Sequence, residues 1–303
     1  MGAPVVVLAG GTGGAKLARG MLDVCGEDLA VVANTADDIE IYGAYVSPDP
    51  DLVTFWLADR IDARGWGLRG DTFAVMDGLR ELGVDVWFSL GDRDLAIGIR
   101  RAQRLAGGAR LTEALAELGA ALGVEARVLP MSDAPVRTWV KAGGEWQPFQ
   151  EFMIRARAEG PVQETELRGV GEALPTPEVL EAIAAARAII IGPSNPVISI
   201  GPILTVPQMR QALLDSPAPI VAVSPIVGGS VLKGPTEAFL RWAGHDASTE
   251  AIARCYAGLI DGLVADELVG GLPVLQTDTL MNDDGSRLRL AAETLAFAEG
   301  LAA

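Results

Sequence analysis

Four glycines and a threonine, Gly10-Gly11-Thr12-Gly13-Gly14, stand directly behind the apolar run Val5-Val6-Val7-Leu8-Ala9. Nothing else in the chain restricts its fold as much. An unbroken β-branched run reads as a strand buried on both faces, and glycines at this density read as a tight turn. Leu17, Met21 and Leu22 then recur at helical spacing, so a helix follows. Strand, turn and helix in this order bring backbone N–H groups close to a ligand at the positive end of a helix dipole, which suits phosphate. Lys16 adds a point charge near the same place. Neither common phosphate motif is matched. The dinucleotide fingerprint needs a third glycine where Lys16 stands, and the P-loop needs Gly-Lys-Ser/Thr after the glycines. Glycines kept only for close packing are the competing reading.

The rest of the chain alternates strand and helix, which predicts an α/β fold: a Rossmann-like parallel sheet with helices on both faces. The second strand, 29–33, runs into Asn34-Thr35-Ala36-Asp37-Asp38. Ligands of open parallel sheets sit beyond the carboxyl ends of the strands, so these residues share a rim with the glycine turn. Ser47-Pro48-Asp49-Pro50-Asp51 follows, stiffened by its prolines and not helical until Asp51. Carboxylates gathered so closely point to a Mg²⁺ site of one or two aspartates plus substrate oxygens. Against that, Asp38 and Asp51 also suit turn and N-cap positions, since Asp51 opens an apolar helix. A helix at 73–82, capped by Asp71 or Thr72, precedes a strand at 84–90 that ends in Gly91-Asp92-Arg93-Asp94. Arg93 either grips a phosphate or flanks a ring, or else joins an ion pair capping a helix at 95–105.

Helices at 111–122 and 178–186 and strands at 126–129, 188–191 and 219–223 continue the pattern. Helices at 236–242 and 249–259, strands at 262–264 and 273–276, and a helix ending at 300 complete it. Two of these strands end in polar loops, Gly192-Pro193-Ser194-Asn195 and Ser224-Pro225-Ile226, with Lys233 just beyond the second. Residues 131–171 break the alternation. A hairpin over 136–147 turning at Gly143-Gly144, a short helix at 149–158 and a strand at 162–170 read as a small α+β insertion. The core is then 1–130 with 172–303. The aromatics of the insertion either cover a planar ligand or pack as core.

Composition removes several function classes. Half of the 303 residues are hydrophobic, enough for a large core, and the net charge is −16. With no basic stripe to neutralise phosphates, nucleic acid is not an expected partner. An acidic protein that handles phosphates does invite a divalent cation. No apolar run approaches the ~20 residues of a membrane span, and the first residues lead straight into a strand, so neither a membrane segment nor a signal peptide is expected. Cys25 and Cys255 lie far apart without metal spacing, as in a reducing cytoplasm. His245, the sole histidine, follows Gly244 in a loop, so no Ser/His/Asp or Cys/His nucleophile is expected.

Taken together, 10–16, 34–38, 47–51, 91–94 and 192–204, with Trp66-Gly67, Ser132-Asp133 and Ser224-Pro225-Ile226, make the chain resemble the 2-phospho-L-lactate transferase family (CofD/FbiA type) of coenzyme F-420 biosynthesis. The likeness spans nearly the whole chain. It implies a homodimeric, Mg²⁺-dependent transferase. A three-carbon phosphoacid, 2-phospholactyl or phosphoenolpyruvyl, would pass from its guanosine diphosphate-activated form to the ribityl hydroxyl of the deazaflavin Fo, with release of GMP. Carried over, the acidic site residues fall on Asp37 and Asp51, both expected to hold the metal, with Asp38 and Asp49 adjacent. Asp38 or Asp49 would take the proton of the attacking hydroxyl. Fo contacts fall at Asp49 or Asp51 and around Asp92 and Arg93, where some relatives carry lysine. The glycine turn, Lys16, Asn34, Thr35, Ser194, Asn195 and Ser224 would hold nucleotide and phosphates. In-line displacement without a phosphorylated enzyme fits this set, because positioning and charge neutralisation carry most of phosphoryl-type catalysis.

Two other readings compete. The turn, the Ala-Asp-Asp and the Gly-Pro-Ser also resemble non-enzymatic UDP-sugar-binding regulators of the gluconeogenesis-factor type. Those continue Asp-Asp with Gly-Gly-Ser-Ser-Gly, however, where this chain has Ile39-Glu40-Ile41-Tyr42-Gly43. An NAD-dependent oxidoreductase suffers from the unmatched fingerprint.

Overall fold

The computed structural model describes residues 2–231 and 234–302; Lys233 lies outside them. Strand β1 (Val5–Ala9) leads into helix α1 (Gly11–Cys25) and strand β2 (Leu29–Ala33). A short hairpin of β3 (Ile39–Ile41) and β4 (Ala44–Val46) comes next, then α2 (Pro48–Leu57), α3 (Ala74–Glu81), α4 (Asp92–Ala106), α5 (Leu111–Leu122) and strand β5 (Arg127–Pro130). Strands β6 (Arg137–Ala142), β7 (Glu145–Pro148) and β8 (Val162–Arg168) pair antiparallel in a sheet of their own. The second half runs through α6 (Pro177–Ala184), β9 (Ala188–Ile191), α7 (Ile200–Thr205), α8 (Met209–Asp215) and β10 (Ile220–Val223). A two-residue-per-arm hairpin, β11 (Ile226–Val227) and β12 (Ser230–Val231), precedes α9 (Thr236–Trp242), α10 (Thr249–Cys255), β13 (Gly262–Ala265), β14 (Val274–Gln276) and α11 (Asp284–Leu301).

Among the described residues the main sheet has seven parallel strands in the order β14-β13-β10-β9-β1-β2-β5. The chain therefore leaves β1 toward β5, crosses back, and grows from β9 toward β14. The order reverses between β1 and β9, and such a switch point opens a crevice at the carboxyl ends of the two strands. Alternate side chains of each strand feed two cores. Val6, Leu8, Ile189 and Ile191 pack with α6, α7, α8 and α10. Val5, Val7, Val31 and Ile190 pack with α1, α2 and α11 on the other face. Burial on both faces is why these strands are continuously apolar.

Three sequence expectations change. Residues 84–90 form no strand. Val86 and Phe88 instead pack on a satellite core of Ala44, Val46, Met76, Leu90 and Leu95, so their alternation records one buried face without a pairing partner. Helix α1 starts within the glycines, at Gly11, because Gly10 takes the extended N-cap conformation. Helix α2 starts at Pro48, three residues before Asp51. Proline in the first helical turn loses no hydrogen bond, since those N–H groups have no intrahelical acceptor.

Candidate active site

The crevice is built first from glycine. A Cβ on Gly13 would run into the carbonyl of Pro193, and one on Gly14 into Ser194 Oγ and Ala9, so these two glycines let α1 seat against the 192–194 loop. Gly11 is different. It has φ +66° and nothing near the place a Cβ would occupy, so its conformation and its open face are the features glycine supplies. The N–H of Gly10 donates to Ser194 Oγ at 3.2 Å. No residue of α1's own first turn is acidic and Gly10 has no side chain to cap it; the Asp49 carboxylate takes the first N–H, and the remainder of that end, with Thr12 half-buried beside it, is fit for an anion. Lys16 points elsewhere: its ammonium donates to the Met281 carbonyl at 3.0 Å and lies 5.8 Å from the centre of the Trp56 ring.

Across from the turn stand three buried aspartates. Asp49, in the first turn of α2, accepts the Gly11 N–H at 2.7 Å and the Asn34 amide at 3.0 Å. Asn34 in turn folds the loop by accepting the Ala36 N–H at 2.9 Å. Asp38 accepts Ser47 Oγ at 2.7 Å, while its Oδ2 is buried with no hydrogen-bond partner, as is Thr35 Oγ1. Asp37 is met by Thr138 Oγ1 at 3.4 Å, and its carbonyl by the Gln150 amide at 3.1 Å. Burial pushes all three carboxyls up. Asp38 rises to about 7 against the pull of Arg137, and Asp49 to about 6. Asp37 is driven well above the usual range by burial and by the charges of Asp49 and Asp38.

Asp51, expected to join this group as a metal ligand, is held instead in a bidentate pair with Arg101, whose Nη1 also donates to the Tyr45 carbonyl at 3.0 Å and whose charge also reaches Asp38. The pair is almost fully buried, with Arg101 3% exposed. Asp92 and Arg93 lie further out, at the start of α4. The Asp92 carboxylate accepts the N–H groups of Ala74 and Val75 and the Thr72 hydroxyl, capping α3. Asp71 returns the favour by accepting the N–H groups of Arg93 and Asp94, and the Arg93 side chain is exposed. Asn195 accepts the N–H groups of Val197 and Ile198, and Ser224 that of Ile226, so both side chains shape their own loops.

Sequence reasoning did not single out Arg101, Arg137, Thr138 or Gln150. Arg101 lies with Leu95 and Gly98 among the buried positions of the amphipathic α4, and nothing along the chain announces its buried partner. The other three come from the insertion, whose first strand is tied to the Asp37 loop by a Thr138 N–H to Ala36 carbonyl bond of 2.7 Å. There a cavity of about 360 Å³ opens, floored by Asp37 and Asp38 and walled by Arg137, Trp139, Pro148 and Phe149. A cavity of similar size, near Glu250, Arg254 and Leu272, lies at the amino ends of β13 and β14, away from the carboxylates. Among the described residues no three His, Cys, Asp or Glu side chains form a ready-made cation cage, and no helix is long and apolar enough to cross a membrane.

A Rossmann-ordered sheet whose switch point sets an anion-ready turn against buried carboxylates defines an α/β enzyme class that works on phosphorylated substrates. The model of the 2-phospho-L-lactate transferase family (CofD) matches residues 5–278, and the chain belongs to that family of transferases. A 2-phospho-L-lactate transferase of Methanosarcina mazei is 40% identical, covering 87% of either chain. A phosphoenolpyruvate transferase of Kitasatospora aureofaciens is 38% identical over 97% of this chain and 98% of its own. A 2-phospho-L-lactate transferase of Methanopyrus kandleri is 37% identical over 98% of both. Among solved structures, a UPF0052-family protein (BH3568) of Bacillus halodurans superposes with a TM-score of 0.63 at 18% identity, covering 96% of this chain and 99% of its own, a likeness of fold. With relatives of this kind, the non-enzymatic regulator is not the favoured reading.

Proposed function

We propose that the protein transfers a phosphorylated three-carbon acid, 2-phospholactyl or phosphoenolpyruvyl, from its guanosine diphosphate-activated form to the ribityl hydroxyl of Fo. The products are GMP and coenzyme F-420-0 or its dehydro form. The observation that carries this reading is the Gly11–Asp49 contact, which sets the anion-ready turn directly against buried carboxylates. The diphosphate belongs at the turn and the α1 N-terminus, with Ser194 alongside. The cavity beside Asp37 and Asp38, with Trp139 and Phe149 in its walls, suits a planar acceptor.

Mg²⁺ fits the residues present. The donors are hard oxygens, three carboxylates are buried close together, and Asp38 Oδ2 is orphaned. Asp37 and Asp49 would hold it, with substrate oxygens completing the shell; Asp51, assigned that place from the sequence, is paired with Arg101. Bound there, the ion would neutralise the diphosphate and offset the charge growing on GMP. Asp38, held near 7 and anchored through Oδ1 by Ser47, takes the proton of the attacking hydroxyl. The hydroxyl oxygen forms its bond to the phosphorus bearing the three-carbon acid, and the bond from that phosphorus to the GMP oxygen breaks, the electron pair leaving with GMP. The charge of Arg137 favours the ionised form of Asp38 that this step consumes, and the proton leaves Asp38 to solvent before the next turnover.

A cytoplasmic homodimer completes the proposal, supported by the family resemblance and by the free thiols Cys25 and Cys255. Incubation with Fo, Mg²⁺ and each guanylated donor, followed by mass analysis, tests it. The expected result is a deazaflavin heavier by the phosphoacid with one donor; no adduct with any donor overturns the proposal.

A further inference from the structure

The insertion does more than wall the cavity beside Asp37. Its hydrogen bonds to the loop after β2 converge on Ala36 and Asp37. The Thr138 N–H donates to the Ala36 carbonyl at 2.7 Å, Thr138 Oγ1 meets Asp37 Oδ1 at 3.4 Å, and the Gln150 side-chain amide donates to the Asp37 carbonyl at 3.1 Å. Gln150 also borders the cavity, with its neighbours Phe149 and Glu151. One side chain therefore touches both the main chain of a carboxylate assigned to Mg²⁺ and the space assigned to the acceptor. Its backbone is held from behind. Phe149 packs on Phe239 with ring centres 6.3 Å apart, and the fully buried Phe152 meets the same ring edge-on at 6.1 Å. Between these anchors Gln150 opens a single π-helical turn, Glu151–Arg155, closed by the Ala156 N–H on the Glu151 carbonyl at 3.0 Å. The chain leaves that turn through Arg157 and Ala158, both with positive φ. Wide turns of this kind gather at functional sites, and left-handed backbone at successive non-glycine residues is strained.

We propose that Gln150 is a positioning residue that couples the acceptor cavity to the divalent cation. A ligand seated between Trp139 and Phe149 fixes the 149–151 segment. The Gln150 amide then fixes the Asp37 main chain, and with it the aim of a carboxylate that Thr138 steadies through Oδ1. Outer partners that orient a metal ligand commonly change metal affinity by about 10- to 100-fold. Linkage makes the effect mutual, so acceptor and Mg²⁺ tighten one another's binding by the same factor. The inference rests on the acceptor and metal halves of the proposed transferase reading.

Fluorescence titration of Fo into the full-length protein, with GDP saturating, in excess Mg²⁺ and again in EDTA, tests it. The wild type should bind Fo about tenfold more tightly with Mg²⁺. Gln150→Met keeps the bulk of the side chain and removes the amide. It should bring the two affinities to within about twofold of each other, with binding in EDTA little changed. A merely structural residue would lower both affinities together and leave their ratio alone. Equal affinity for Fo in Mg²⁺ and in EDTA by the wild type overturns the inference whether or not the variant folds. So does a folded Gln150→Met that keeps the wild-type ratio, which would mean that cation and acceptor meet directly. Deazaflavin adduct formation by the wild type alongside either result leaves the transferase reading standing. A protein that binds no Fo in either medium ends both.

Discussion

At Asp49 a single carboxylate joins the turn after β1, the loop after β2 and the start of α2. Asp49→Asn keeps the shape and removes the charge, so kcat/KM for the guanylated donor should drop by about 10²- to 10³-fold with an unchanged circular dichroism spectrum. An activity within a few fold of wild type would place the chemistry elsewhere. Arg101 and Asp51 behave differently, because their pairing is buried and closed. Arg101→Met strands the Asp51 charge and should cost about 3–5 kcal/mol in urea unfolding, whereas Arg101→Met/Asp51→Leu recovers most of it. No recovery in the double variant would mean that the guanidinium acts chiefly through the Tyr45 carbonyl and the nearby Asp38 charge. Little in the sequence separates Asp51 from Asp49: both stand in one Pro-rich pentapeptide, and only the folded position of Arg101 shows which of them is already neutralised.

The elements around the site divide in the same way. Helices α3 and α4 cap each other through Asp92 and Asp71, an exchange invisible along the chain because its partners lie about twenty positions apart. Asp92→Ala should therefore lower Tm in a thermal melt and leave kcat/KM for Fo unchanged; the reverse pattern would put Asp92 in contact with substrate. What could be read from the sequence was the strand pattern of β1, β2, β9 and β10, because strands buried on both faces announce themselves by composition. What could not was the fate of 84–90, where a half-buried segment carries the same alternation as an edge strand. The place of the insertion was hidden for a third reason. Thr138 and Gln150 are ordinary polar residues until β6 is laid against the Asp37 loop.

For the whole molecule, the raised carboxyls set a pH dependence. Asp37, Asp38 and Asp49 hold protons in the folded state that the unfolded chain, with values near 4, has already released. Stability of the metal-free protein is thus lost as pH rises from about 4 through the raised values, which for Asp49 and Asp38 lie at about 6 and about 7. Arg101, Arg137, Tyr45 and Ser47 temper the effect at Asp38 without reversing it. Lowered groups such as Asp59 and Glu178 act below this window. The metal-free Tm should be higher at about pH 5.5 than at about pH 8, with Mg²⁺ raising it mainly at the higher pH. A Tm that climbs across this range, with no response to Mg²⁺, would show that these carboxyls are not an electrostatic load.

The amide of Gly11 and the carboxylate of Asp49 occupy one another in the protein as it stands. An arriving diphosphate competes for that amide and, by taking it, hands the aspartate over to the reaction. The two substrates should consequently bind in a compulsory order, donor before acceptor, so that GMP is competitive with the donor in initial-rate inhibition studies and the deazaflavin product is not.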